Sequence, residues 1–391
     1  MDIKAFFEKP KTDFPYEKSF VFAGIHFHIL SMELLAIEDI EHYIYIPKEL
    51  DRREGDIPSQ IEIRFIIDPE LEQSIRSVCF QKGETITAKR KFTYKRLTLD
   101  DQVLFASHEG DEPHSVAVNN GRYAVIGKNN NESAIRCPLR IVREIALRTL
   151  ENQGGCFTHA AAVSFEDGQK GALIIGDKGA GKSTTMWQFL HHGGADFITN
   201  DRSISVLEDQ ELIVYGWPMC LALGVGTVQA TTNIQELKNK KFSRSQDKRI
   251  WDETISTEEE AREKWASGCK FEITPKEAAE MTGTTIRSST KVDMVIFPSL
   301  KIGSGEIRLV PVKKDDQRAK EIMTANIREP EDPDYLKGWL GLRHVSDTFL
   351  EQKASELIHH LFNMPCFYLE GDPRHLQEAI PDLLNKKVSS I

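Results

Sequence analysis

Residues 171–190 read GALIIGDKGAGKSTTMWQFL, and the chemistry the chain can perform is concentrated there. Gly176, Gly181, Lys182 and Ser183 stand at the spacing G-x-x-x-x-G-K-[ST], which cradles phosphates. Glycines let backbone N–H groups converge on anionic oxygens with no Cβ in the way. Lys182 supplies a mobile positive charge for β and γ phosphates, and the Ser183 hydroxyl can join a Mg²⁺ shell. Gly176, Asp177, Lys178, Gly179, Ala180, Gly181, Lys182, Ser183 and Thr184 are therefore expected to wrap the phosphates of a nucleotide such as ATP. Asp201, closing ADFITND, is a strand-end carboxylate able to hold Mg²⁺ directly or through water; the plainer reading is a turn or cap residue before RSISV. Asn200 beside it can order a water or a substrate hydroxyl but cannot act as a base. His159 lies in FTHAAAV, and a hairpin from HAAAVSF to GALIIG, turning at EDGQK, would bring it level with the loop's rim. A hydrogen-bonded histidine at a strand start is the alternative.

The loop needs a strand before it and a helix after it, and both are written locally. ALII is a buried-type strand; Met186, Phe189 and Leu190 give the following segment one apolar face, and Gly193-Gly194 end it. The positive end of that helix dipole would face the same anion. Around this unit, CFTHAAAVSF, DFITND, ISVLE, LIVYGW, VDMVIFP, IRLVPV and PCFYLEG read as strands. DQRAKEIMTANI, SDTFLEQKASELIHHLFN and PRHLQEAIPDLL read as helices. The alternation predicts an α/β domain over 136–391. PLRIVREIALRTLENQGG (138–155) is expected as a helix at the domain junction. Residues 1–135 predict a β-rich domain of separate role, with strands at 20–30, 61–68 and 90–99 and a tight hairpin at Asn120-Gly121.

Length and composition set the frame. At 391 residues two domains are the natural expectation. A net charge of −10 disfavours general nucleic-acid binding, since a polyanion would be repelled over most of the surface. The six cysteines stand singly, with no C-x-x-C pair, which argues against a zinc knuckle or a disulfide framework. No apolar run approaches the roughly 18 residues a membrane helix needs, and MDIKAFFEKPKTDF lacks an apolar signal core. A cytoplasmic protein with reduced thiols and no membrane partner is expected.

Taken together, THAAAV, GALIIGDKGAGKST and ITNDRSISV resemble the HPr kinase/phosphorylase family, on the phosphoenolpyruvate-carboxykinase-like P-loop fold with a mixed sheet. The likeness covers residues 138–230 well and 290–391 in outline. It implies transfer of the γ-phosphoryl group of ATP to a hydroxyl, usually a serine, and allows a homo-oligomer. Carried across, Lys182 and Ser183 serve the phosphates and metal, and His159 lines the active site. The family has two adjacent aspartates at the strand end, one of them thought to deprotonate the acceptor; Asn200-Asp201 stand here, leaving Asp201 for metal or base work. Its glutamate–arginine–glycine signature is replaced by VYGWPMCLALGVGTVQ (214–229), and the loop continues Ser-Thr-Thr rather than Ser-Glu. HPr itself is therefore not the expected acceptor. The chain looks more like divergent members that phosphorylate precursor peptides such as those of lasso peptides, so the acceptor class is a peptide, protein or small-molecule hydroxyl. A nucleotide-binding sensor or slow ATPase acting through a partner is the rival reading, favoured by Asn200.

Weaker signals surround this centre. The basic run KNKKFSRSQDKR (238–249) fits a lid over phosphates, a dock for an acidic peptide, or a solvated loop. STEEEAREKWASG reads as a charged surface helix, and Thr274-Pro275 with Glu277 as a capped helix start. Lys270 is a candidate phosphate contact, and Gly224 and Gly226 are turn residues or shapers of an acceptor pocket.

Overall fold

A computed structural model of the chain describes residues 7–44, 46, 60–89, 92–108, 112–229, 231–232, 234–246, 250–251, 269–328 and 338–380. The charged segment STEEEAREKWASG, Lys248, Arg249 and the run beyond 380 lie outside the described residues. The protein is a mixed α/β structure with several mixed and antiparallel sheets. It divides into two compact units, Met1–Thr149 with Pro330–His344, and Leu150–Glu329 with Val345–Ile391. The division falls inside the helix Cys137–Asn152, and a late segment belongs to the first unit.

The first unit is built on β1 (Tyr16–Phe22), β2 (Ile25–Ser31), β3 (Gln60–Ile67), β4 (Glu84–Lys89), β5 (Phe92–Thr98), β6 (Gln102–Ser107), β7 (His114–Asn119) and β8 (Arg122–Gly127). They form one sheet in the order β1-β2-β3-β8-β7-β6-β5-β4. The Asn120-Gly121 hairpin is present, Asn119 pairing Arg122 with both turn residues at positive φ. The run expected as one strand at 20–30 is instead a hairpin, because Ala23-Gly24 also adopt positive φ. Sequence reading also missed the helix Pro69–Lys82, whose first turn is capped by Asp68 Oδ1 accepting from Leu71 N–H at 2.9 Å. Its Ile75 and Cys79 are buried on the sheet. Trp339 returns from far along the sequence to stack on Tyr94, ring centroids 5.0 Å apart, and to meet Phe105 edge-on.

The second unit carries β9 (Cys156–Thr158), β10 (Ala160–Phe165), β11 (Lys170–Ile175), β12 (Asp196–Thr199), β13 (Ser203–Glu208), β14 (Glu211–Gly216), β15 (Leu221–Gly224), β16 (Lys270–Ile273), β17 (Ser289–Val292), β18 (Met294–Leu300), β19 (Arg308–Pro311) and β20 (Cys366–Gly371). A central mixed sheet runs β12-β10-β11-β18-β20-β19, with β11-β18-β20 parallel. A second, antiparallel sheet runs β17-β14-β13-β9. Both faces of the central sheet are covered, so its strands are apolar on both sides. On one face Ala161, Val163, Ala172 and Ile174 meet Met186, Trp187, Phe189 and Leu190 of the helix Lys182–His192. On the other, Ala160, Ala162, Leu173 and Ile175 meet Ala319 and Met323 of the helix Gln317–Asn326 and Leu357 and Leu361 of the helix Asp347–Phe362. The expected hairpin is there, Ala160 opposite Ile175 and Phe165 opposite Lys170.

CFTHAAAVSF, expected as one strand, is two. Thr158 pairs with Ser203 in the antiparallel sheet, while Ala160 pairs with Ile175 in the central one. The chain changes sheets at His159. It changes back at Asn200–Arg202, between β12 in the central sheet and β13 in the other. The carboxyl ends of β11, β12, β18 and β20 therefore share one edge with the start of β10, the edge at which open α/β sheets bind ligands.

Candidate functional site

That edge opens into a cleft of about 910 Å³. Its floor is the loop between β11 and the helix Lys182–His192. Gly179 and Gly181 hold φ of 85° and 109°, which L side chains rarely adopt. A Cβ added at Gly181 would also lie 2.8 Å from Leu300 Cδ1. The helix begins with Thr185 N–H donating to Gly181 O at 2.8 Å, so its first amides and positive dipole end face the cleft. Lys182 is buried, its ammonium donating to Gly176 O at 2.6 Å and Asp177 O at 3.3 Å. This sets one positive charge at the centre of the loop.

The structure brings most of the expected loop residues to the cleft: Asp177, Lys178, Gly179, Gly181, Lys182, Ser183 and Thr184 all line it. Gly176 and Ala180 shape the turn from behind, where a Cβ on Gly176 would come within 3.3 Å of Ala180 Cβ. The Thr184 hydroxyl is engaged with Thr227 Oγ1 at 2.8 Å, tying the helix start to the segment Val225–Gln229.

One wall carries His159, Asn200 and Asp201. The sheet exchanges bring His159 Nε2 to 3.0 Å from Asp201 Oδ1. The backbone on both sides of the histidine is fixed: His159 N–H donates to Asn326 O and Arg328 N–H to Phe157 O, each at 2.7 Å. Arg202, which sequence reading passed over, bonds the other carboxylate oxygen, Oδ2, at 2.5 Å. Burial pushes the Asp201 carboxyl up. The His159 hydrogen bond and the charges of Arg202 and Lys182 together outweigh it and hold the group below its ordinary range. Asn200 is buried, and its Oδ1 has no hydrogen-bond partner among the described residues.

Of two further walls, the sequence pointed only to Gly224 and Lys270. Met219, Cys220, Ala222, Gly224, Thr227 and Lys270 form one, Gly224 and Lys270 being paired where β15 meets β16. The other is the loop Leu300–Ser304 with Pro373. It is pinned by Leu300 N–H donating to Ala180 O at 3.0 Å and Gly303 N–H to Asp372 Oδ2 at 2.6 Å. KIGSG directly after a strand is the signal that could have found it. Among the described residues, four lysines (Lys178, Lys182, Lys270, Lys301) line the cleft against two carboxylates, Asp177 and Asp201. In a chain of net charge −10, that local excess favours an anionic ligand.

The arrangement fits a nucleoside triphosphate. Backbone amides, a helix start and a buried ammonium converge on one place, and a carboxylate stands across from them. A divalent cation fits the same donors: Ser183 Oγ and Asp201 are hard oxygen ligands of the kind Mg²⁺ takes alongside phosphates and water. Among the described residues no group of three or more His, Cys, Asp or Glu could hold a metal by itself. No described helix is long and apolar enough to cross a membrane. The sequence matches no protein-family model and no curated protein.

Proposed function

We propose that the chain is an ATP-dependent kinase that transfers the γ-phosphoryl group to a hydroxyl of a peptide, protein or small molecule, with an HPr-kinase-like second unit. The observation that carries the reading is the His159–Asp201 pair, 3.0 Å apart, on the wall of the same cleft as the G-x-x-x-x-G-K-S loop. A phosphate-binding loop alone serves many hydrolases and sensors. A paired carboxylate facing it gives the acceptor's proton somewhere to go.

In the reaction the acceptor oxygen attacks the γ phosphorus as the bond to the β–γ bridging oxygen breaks. ADP leaves with that electron pair, and the hydroxyl proton passes to the Asp201 carboxylate. Lys182 and the amides of residues 179–184 stabilise the charge on the transferring group. Mg²⁺, held by Ser183 and Asp201, supplies charge neutralisation of the phosphates when bound. A carboxylate has about four lone-pair sites, so its bonds to His159 and Arg202 leave capacity for both the proton and the metal. Held below its ordinary pKa, Asp201 is a weak base, which the loose transition state of phosphoryl transfer tolerates.

The rival is a nucleotide sensor without transfer, supported by the amide at Asn200 where a second acid would strengthen the base. Incubation with γ-labelled ATP and candidate acceptors separates the two: label on a hydroxyl supports the kinase, and nucleotide-dependent partner binding without label supports the sensor. Lys182→Ala should remove nucleotide binding or turnover while leaving the thermal midpoint in place. Undiminished turnover in that variant would end the kinase reading.

A further inference from the structure

The walls of the cleft differ in what they leave unsatisfied. The strand that enters the phosphate loop, β11, has β18 on one side and β10 and β12 on the other. Asp201 stands on the β10/β12 side, so the γ-phosphate end of the ligand and the attacking hydroxyl belong there. The nucleoside is left with the Leu300–Ser304 side. Trp217 N–H donates to Arg202 O at 3.2 Å, and the chain then runs past Met219 and Ala222 to Gly224, opposite Lys270. The wall from Asn200 to Lys270 is therefore continuous with the His159–Asp201 pair.

Two groups on it wait for a partner of defined chemistry. Asn200 Oδ1 is a buried acceptor with no donor among the described residues; a buried polar atom left unpaired is costly, and an O–H from the acceptor would recover that interaction. Lys270 is exposed to the cleft, and its ammonium makes no hydrogen bond or ion pair among the described residues. Neither carboxylate of the cleft neutralises it: Asp201 is engaged by His159 and Arg202, and Asp177 lies on the loop.

We propose that this wall is the acceptor subsite, and that the acceptor is a hydroxyl compound bearing an anionic group, carboxylate or phosphate: Asn200 takes the hydroxyl and Lys270 the anion. The inference rests on the kinase reading. Asn200 positions the hydroxyl without removing its proton, since an amide is no base; the O–H then turns about its C–O bond from Asn200 Oδ1 to the neighbouring carboxylate, and its proton goes to Asp201 as the oxygen–phosphorus bond forms and ADP departs. The anion selects the acceptor by a charge-assisted contact, and a neutral alcohol would leave the lysine without a counter-charge.

The test uses the full chain, Mg·ATP, and paired acceptors: glycerate against glycerol, and a serine peptide flanked by aspartates against one flanked by lysines. ADP release and transfer of γ-label are read, with Mg·AMP-PNP affinity measured separately. The anionic member of at least one pair should be favoured by about tenfold or more in kcat/KM, the scale of one charge-assisted contact; which pair responds tells whether the anion arrives on a small molecule or a peptide. Lys270→Glu should abolish or invert that preference with nucleotide affinity kept within about twofold. Asn200→Ala should lower kcat/KM for the favoured acceptor by about tenfold or more with an unchanged thermal midpoint, because the amide oxygen it removes bonds to nothing among the described residues. Equal use of charged and neutral acceptors overturns the proposal, as does a preference that survives Lys270→Glu. A Lys270→Glu defect confined to nucleotide affinity also overturns it. If the chain binds Mg·AMP-PNP and phosphorylates none of these acceptors, the subsite falls while the nucleotide site stands; failure to bind nucleotide at all removes the kinase reading itself.

Discussion

Adding one methyl group at Gly181 tests the phosphate loop without touching a charged residue. Alanine at φ 109° pays a backbone penalty of about 1–2 kcal/mol. Its Cβ would then sit 2.8 Å from Leu300 Cδ1, 3.0 Å from Cγ and 3.1 Å from Cβ. A rotamer change can move Cδ1 but not Cβ, and Leu300 N–H is bonded to Ala180 O, so relief requires the backbone of both loops to separate. Overpacking of this kind costs about 1–3 kcal/mol, giving a total of about 2–5 kcal/mol. Gly179 is the internal control. Its φ is 85°, but a Cβ there meets nothing within 4 Å, so Gly179→Ala should cost only the backbone share, about 1–2 kcal/mol.

Urea unfolding, with the m-value compared between variants, reads the difference directly. A third variant isolates the clash. In a Leu300→Ala background Cδ1 and Cγ are gone, so Gly181→Ala should cost at least about 1 kcal/mol less than in the parent, a coupling that double-mutant cycles resolve. The relief should be incomplete, because the Cβ of residue 300 remains. If Gly181→Ala costs no more than Gly179→Ala, or if its cost is unchanged beside Leu300→Ala, the packing of the loop against the Leu300 wall is wrong.

Asp201→Asn keeps the shape of the side chain while removing the charge that His159 and Arg202 bind; turnover should fall by about 10²–10⁴-fold, and a loss below tenfold would take the base role from Asp201. With the Asp201 pKa held below its ordinary value, the acid limb of the parent's kcat/KM profile should lie below the usual carboxylate range near pH 4. His114, fully buried with Tyr94 OH at 2.9 Å from its Nε2, is held well below its ordinary pKa by burial first and by the charges of Arg140 and Arg76. The unfolded chain then binds the proton more readily, so stability from this residue is present above pH about 6.5 and declines as the pH falls below it. Urea midpoints at pH 7.5 and 5.5 should show a smaller drop in His114→Gln than in the parent, and an equal drop would contradict the assignment. Trp339→Ala removes a buried indole stacked on Tyr94 and should destabilise the first unit by about 3–5 kcal/mol, read as an earlier unfolding transition; a surface-like change under 0.5 kcal/mol would place residue 339 outside that core.

What the sequence made legible is what short-range geometry encodes. The phosphate loop needs glycines at positions of positive φ, an apolar strand before it and a one-faced helix after it, all within the twenty residues 171–190. The Thr274 capping box was equally local, with Thr274 Oγ1 accepting from Glu277 N–H and Glu277 Oε2 from Thr274 N–H. The hairpin at 23–24 was hidden because alanine gives little sign of positive φ; the helix Pro69–Lys82 was written in the sequence, in the Asp68-Pro69 start and in Leu71, Ile75, Val78 and Cys79 at helical spacing, and was overlooked. Nothing near Trp339 announces that it packs against strands more than two hundred residues earlier.

The pairing of His159 with Asp201 belongs to neither kind of information. Each residue could be suspected alone, but both lie where the chain leaves one sheet for another, and those exchanges are set by partners distant in sequence: Ser203 for Thr158, Ile175 for Ala160, Thr199 for Ala162. Residues 160–162 show how the exchange is accommodated. Ala160 and Ala162 face the helices Gln317–Asn326 and Asp347–Phe362, Ala161 faces the helix Lys182–His192, and all three are fully buried. Larger side chains there would push apart the two layers on which the dyad's spacing depends, since close-packed interiors do not absorb extra methylenes without strain. The alanines make room for the protein itself, and the histidine that this packing fixes in place faces the cleft.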